Sequence, residues 1–157
     1  MLCVCGGKLS EGINFKDALG RLVVMVGLPY ANPEEPELKA RMAYLDERER
    51  AFDKKNKNER AKTRGRRYYE ALCMRSVNQS VGRAIRHVGD YAAILFCDRR
   101  YVTAPSTKET NKRDGNLRGV PSQLAGWIGE RLVTPSGYGQ TQASLARFFA
   151  GKRKNMA

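Results

Sequence analysis

Apolar residues in this chain fall into two patterns, short unbroken runs and longer stripes spaced by three or four. The runs are LCVC at 2–5, LVVMV at 22–26 and YAAILFC at 91–97, bounded by glycine, proline or polar residues. Unbroken runs of this length suit strands covered on both faces, as in a parallel sheet. The first run predicts a buried strand, which calls for sheet partners on both sides. The stripes predict helices. Leu38, Met42 and Leu45 share a face between 36 and about 49, with Pro36 in the first turn and Glu35 and Glu37 at the positive end of the dipole. Tyr69, Cys73, Val77, Val81, Ala84 and Val88 form the longest stripe and predict a helix over 66–88, closed by Gly89. A short helix in PSQLAGWIGERL, with Leu124, Trp127 and Ile128 turned inward, and a final helix over 141–154 complete the series.

Residues 50–65 and 103–120 hold few large apolar groups and read as polar surface insertions. Strands separated by helices place the chain in the α/β class, with a central parallel sheet flanked by helices. The predicted organisation is a domain body over 1–134 and a C-terminal helix with a basic tail over 135–157. No internal repeat is present.

Charge narrows the partners. There are 29 Lys and Arg against 16 Asp and Glu, a formal net charge of +13, in 157 residues. That excess puts polyanions first, nucleic acid ahead of anionic membrane. No run of about 18 apolar residues occurs, so no spanning helix is expected, and MLCVCGGKL lacks the basic region and length of a signal peptide. The four cysteines, Cys3, Cys5, Cys73 and Cys97, include no pair of pairs at metal-site spacing, so no metal site is expected; their use suits a reducing compartment.

Two segments carry candidate chemistry. VNQSVGRAIRH, 77–87, sets Gln79, Arg83 and Arg86 roughly opposite the apolar stripe of the long helix, at about 100° per residue, with Arg75 and Gly82 flanking them. Glycine inside a helix costs about 1 kcal/mol relative to alanine, which is easiest to understand where another surface must come close. Guanidinium forks suit phosphate oxygens and can stabilise charge on a transferred phosphoryl group. A solvated basic face would give the same spacing. The second segment, GGKLSEGINF at 6–15, exposes backbone and offers Lys8, Ser10, Glu11 and Asn14 after the first predicted strand. Ligands of open α/β sheets sit beyond the carboxyl ends of strands. It is neither a phosphate loop nor a dinucleotide fingerprint. His87 and Trp127 read as structural groups, an interface histidine and a core anchor. Asp98 to Tyr101 reads as a strand-end fixture.

Taken together, GGKLSEGINF with DALGRLVVMVGLPYANP resembles helicase motif V and its following strand, and NQSVGRAIRH resembles motif VI, Q-x-x-G-R-x-x-R, of superfamily 2 helicases. VNQSVGRAIRHVGDYAAILFCDRRY and LAGWI resemble the XPD-like iron–sulfur DNA helicases. EGINF, GLPYANPEEPELKARMAYLDE and LCMRSVNQSVGRAIRH are similar to the chromosome-loss helicases of sister chromatid cohesion.

This resemblance implies the C-terminal part of a second RecA-like domain. It implies Arg86 as the finger reaching the γ-phosphate of Mg2+-bound ATP on the first domain, Arg83 as a phosphate contact or coupling group, and Gln79 and Gly82 as parts of that interface. Ser10, Glu11, Gly12 and Asn14 would link the nucleotide to a crossing single strand. Asn14 stands where many relatives carry aspartate, which favours hydrogen bonding over charge. The implied partners are single-stranded or forked DNA, the N-terminal helicase domain, and cohesion and replication-fork proteins; the implied compartment is the nucleus. No GKT/GKS loop, DEAH box or four-cysteine set occurs in these residues, so ATP, Mg2+ and any 4Fe–4S cluster are expected to be held mainly elsewhere. The isolated chain is accordingly expected to be inactive, and Met1 within an apolar run suggests a fragment. Two other readings stay open, a non-catalytic nucleic-acid-binding module and a gene fragment without function.

Overall fold

The computed structural model describes residues 2–5, 7, 20–52, 62–85, 89–102 and 121–154. Two strands, β1 (Leu22–Val26) and β2 (Ala93–Cys97), pair in parallel, from Leu22 opposite Ala93 to Val26 opposite Cys97. Between them run helices α1 (Pro36–Phe52) and α2 (Arg64–Gly82); after β2 come a 3-10 turn at Arg99–Tyr101, another at Pro121–Gln123, the short α3 (Gly126–Gly129) and α4 (Tyr138–Lys154). This is an α/β arrangement, as the alternation of runs and stripes predicts.

The α2 stripe forms the core. Met74, Val77 and Val81 pack with Met25 of β1, Tyr101, Leu124 and Ile128, and Ile94 and Phe96 of β2 close over them. Each strand therefore presents alternate residues inward, Val23 and Met25 beside Ile94 and Phe96. The opposite face is open among the described residues: Leu22, Val24 and Val26 are 45%, 49% and 78% exposed. The expectation of a strand covered on both faces is thus corrected. The unbroken apolar run was the signal for two covers, and one is supplied here.

The run at 2–5 is not a strand either. Leu2 and Val4 are exposed, and the Gly7 N–H turns back to the Val4 carbonyl at 3.0 Å, which bends the segment where a ladder would need it extended. Only Cys5 reaches the core, its Sγ 3.6 Å from Met25 Sδ.

Helices α1 and α2 form a tight hairpin. The first turn of α2 holds no acidic residue, and α1 supplies the acceptors its N–H groups lack. Glu49 accepts from Arg64 N at 2.7 Å and Asp46 from Gly65 N at 2.6 Å, while the N-cap Thr63 hydroxyl accepts from Arg66 N at 3.3 Å. Glu70, buried, accepts from Lys62 and Arg66. The crossing is close because Gly65 has no side chain: a Cβ there would stand 2.5 Å from the Met42 carbonyl oxygen. Helical character thus extends to Phe52 and resumes at Arg64, inside the span 50–65 read as an insertion.

Asn78 ties α2 to the C-terminal segment. Its Nδ2 donates to the Gln123 carbonyl and its Oδ1 accepts from Ala125 N, each at 2.9 Å. Asn78→Ala is expected to destabilise the domain by about 2 kcal/mol, since one deletion strips partners from two backbone groups. The check is the urea midpoint, which falls while the slope stays constant. Trp127, expected as a core anchor, is 39% exposed instead; Leu124 and Ile128 are the residues turned inward. A helix of four residues has one inward face, and Ile128 occupies it.

Candidate functional site

Helix α2 presents the first group of candidate residues. Gln79 and Gly82 are exposed, on the side away from Val77 and Val81, and a Cβ on Gly82 would meet nothing within 4 Å. Packing among the described residues therefore does not require glycine there. The helix ends six residues earlier than its stripe predicts, at Gly82 rather than Val88. Gly82 weakens the last turn, and the Ala84 N–H bonds the Val81 carbonyl at 3.0 Å, a tightened closure that precedes departure from the helix. Arg83, half-buried, is the C-cap with φ −76° and ψ −15°. The expectation that Arg83 and Arg86 share one continuous helix face is corrected: a helix end lies between Gln79 and Arg86. Arg86 and His87 lie outside the described residues, as do Ser10, Glu11, Gly12 and Asn14.

The course of the crossover sets the edge of the sheet at which Arg83 emerges. Tyr69, near the start of α2, stacks on Tyr30 with centroids 5.1 Å apart and donates from its hydroxyl to the Ala31 carbonyl at 2.8 Å. Tyr30 and Ala31 follow the carboxyl end of β1, so α2 runs back against the strands, as a crossover between parallel strands must. From Tyr69 to Arg83 the helix advances about 21 Å, whereas a five-residue strand spans about 17 Å. Arg83 is therefore delivered toward the amino edge.

The carboxyl edge is occupied by a fixture, as CDRRY suggests. Asp98 caps the 3-10 turn by accepting from Arg100 N at 2.8 Å, and its carboxylate takes Arg100 Nε and Nη2 at 2.9 and 2.7 Å. These side-chain hydrogen bonds hold the Asp98 carboxyl at about 2, below its ordinary 3.8. A depressed folded-state value means that the pair stabilises fully above the ordinary value and fades as pH falls through about 2. Gly27, at φ +74°, lets β1 turn away at a conformation that disfavours any side chain, and its carbonyl accepts from the buried Tyr101 hydroxyl at 3.2 Å. Burial pushes the Tyr101 hydroxyl up, and the Cys73 thiol to about 11. Cys3 and Cys97 are exposed. Among the described residues no group of three His, Cys, Asp or Glu side chains could hold a metal, and no helix is long and apolar enough to cross a membrane.

Sequence reasoning missed the polar ties. Arg21, just before β1, pairs with Asp90, just ahead of β2, and reaches the Tyr91 carbonyl at 2.8 Å. Opposite charges placed ahead of two parallel strands were the available signal. Asn78, inside VNQSVGRAIRH, was hidden by the arginines around it.

The description "helicase C-terminal domain" matches residues 1–113 of the chain. The chain belongs to this helicase C-terminal family, on the branch of the chromosome-loss DNA helicases. It is 46% identical over 154 residues to the ATP-dependent DNA helicase DDX11 of Danio rerio, covering 98% of this chain and 15% of that protein. It is 44% identical over 155 residues to the ATP-dependent DNA helicase CHL1 of Coccidioides immitis, covering 97% of this chain and 16% of that protein. It is 38% identical over 153 residues to chl1 of Schizosaccharomyces pombe, covering 98% and 16%. The chain thus spans about one sixth of the length of these relatives.

Proposed function

We propose that this chain is the C-terminal portion of the second RecA-like domain of an ATP-dependent DNA helicase. Its task is to supply motif V and the motif VI arginine to a nucleotide held by another domain. The observation that carries this reading is the similarity to DNA helicases along 97–98% of the chain, through VNQSVGRAIRH as well as the strands beside it. Arg86 is the finger on the γ-phosphate, where a guanidinium offsets charge that builds up as the phosphoryl group leaves for water. Arg83, at the end of α2, contacts phosphate or couples the site to domain closure. Gln79 orders the interface, and bare backbone at Gly82 lets the opposing surface approach. Ser10, Glu11, Gly12 and Asn14 connect the nucleotide to single-stranded DNA.

Within this reading the phosphate loop, the DEAH carboxylates and the Mg2+ they hold belong to the first domain, and a 4Fe–4S cluster to the remainder of the protein. The substrate is single-stranded or forked DNA, with cohesion and replication-fork proteins as partners in the nucleus. The +13 charge supports contact with a polyanion.

The isolated chain is expected to hydrolyse no ATP, with or without single-stranded DNA, because these residues hold no GKT/GKS phosphate loop and no DEAH box, and an arginine finger alone does not hold Mg-ATP. Steady-state phosphate release by the purified chain checks this. Robust turnover lost in Arg86→Ala would place a complete site within these residues and overturn the assignment.

A further inference from the structure

Helix α1 turns one side to α2 and leaves the other in water. Its Asp46 and Glu49 carboxylates face α2, where they accept from Gly65 N, Arg64 N and the Arg67 guanidinium. On the far side Tyr44, Arg48 and Phe52 follow one another at intervals of four, so one stripe carries all three. Tyr44 and Phe52 are 55% and 79% exposed. The Arg48 guanidinium stands between them, 5.8 Å from each ring centroid. One turn earlier Arg41, also exposed, lies 5.5 Å from the centroid of the Tyr68 ring of α2. Neither Arg41 nor Arg48 is ion-paired among the described residues. Two other α1 carboxylates stand nearby: Glu47 points about 100° from Arg48, and Glu37 lies about 10 Å along the axis before Tyr44. A lone exposed aromatic is ordinary on a protein surface, but two on one stripe with a guanidinium between them make a patch.

We propose that this outward stripe, Tyr44, Arg48 and Phe52 with Arg41 beside it, is a stacking platform for single-stranded DNA, a contact with the strand separate from motif V. The inference rests on the reading of the chain as part of a DNA helicase. Rings and a guanidinium plane offer π faces on which any base can stack, and the two cations suit the phosphates between bases. Such binding is tolerant of sequence, as action along a strand of any sequence requires. Tyr44 and Phe52 lie about 12 Å apart along the helix axis, room for about three to four stacked nucleotides at roughly 3.4 Å each. Duplex DNA keeps its bases stacked on one another, so the platform favours single strands. The net charge of +13 draws a polyanion to the surface in the first place.

The test measures binding of fluorescent oligothymidylate, at fixed salt and without nucleotide, to the full-length helicase that carries this segment. Tyr44→Ala and Phe52→Ala are each expected to lower the affinity by about 5–100-fold, with affinity for a blunt duplex changed little. Tyr44→Phe keeps the ring and should bind as the parent does. Tyr44→Leu keeps apolar bulk without a ring and should bind as Tyr44→Ala does. Arg48→Gln is expected to reduce the slope of log affinity against log salt by about 0.7, the share of one phosphate contact. Both aromatic side chains are largely in water, so the thermal midpoint should hold; where Tyr44→Ala lowers it, Phe52→Ala carries the comparison. Parental affinity in both alanine variants would overturn the platform and leave the stripe to a protein partner. Equal losses for single strand and duplex would overturn it as well. Should the parent enzyme not bind oligothymidylate, the reading as a DNA helicase falls and the platform with it. Should the parent bind and the stripe variants bind equally, only the platform falls.

Discussion

Replacing Gly65 by alanine is expected to destabilise the domain by about 3 kcal/mol, the upper end of overpacking costs. Two physical arguments give opposite signs here. Helix propensity alone favours alanine over glycine by about 1 kcal/mol, so the change near the start of this 19-residue helix would be favourable if nothing stood against the buried Gly65. Geometry opposes it. A Cβ would stand 2.5 Å from the Met42 carbonyl oxygen, 2.8 Å from Asp46 Oδ1 and 3.0 Å from the Met42 carbonyl carbon. Two of those atoms are α1 backbone and cannot swing aside as a side-chain tip would. Relief requires moving α1 and α2 apart, which stretches the Gly65 N–H to Asp46 bond of 2.6 Å and the Arg64 N–H to Glu49 bond of 2.7 Å. Thermal unfolding of the variant decides between them. A lowered midpoint supports the close crossing, whereas a midpoint equal to or above the parent's contradicts it.

The helices and both paired strands were legible in the sequence because each depends on local periodicity. The Tyr69, Cys73, Val77, Val81 stripe is the buried face of α2, and Pro36 heads α1. The stripe overran the helix end because apolar spacing continues through Ala84 and Val88 whether or not the backbone stays helical. Gly82 is the local sign of the stop, since glycine weakens a helical turn. The apolar runs at 2–5 and 22–26 mark surfaces that suit burial, but pairing is a long-range property. Leu2, Val4 and the outward face of β1 show that a run by itself does not bring its partner.

The candidate site was legible as a motif and not as a location. Q-x-x-G-R-x-x-R names the residues, but the crossover topology decides that Arg83 emerges toward the amino edge of the sheet. The ties that hold this end, Arg21 with Asp90 and Asn78 with Gln123 and Ala125, join residues 45 to 69 positions apart. No window of local sequence contains both partners.

The central claim is that Arg86 completes a nucleotide site on another domain. In the full-length helicase Arg86→Ala is expected to slow ATP hydrolysis by about 10³–10⁵-fold, the range an arginine finger contributes to phosphoryl transfer. The loss belongs to the transition state, where charge on the transferred group is greatest, so ground-state ATP binding should change far less. Arg86→Lys keeps a charge but loses the planar fork, and is expected to recover only a minor part of the rate. The decisive measurement is single-turnover phosphate release from enzyme saturated with Mg-ATP and single-stranded DNA, with nucleotide affinity determined separately on the same variants. A rate reduced by three or more orders of magnitude at near-normal ATP affinity is the predicted result. Unchanged release by Arg86→Ala would contradict the account.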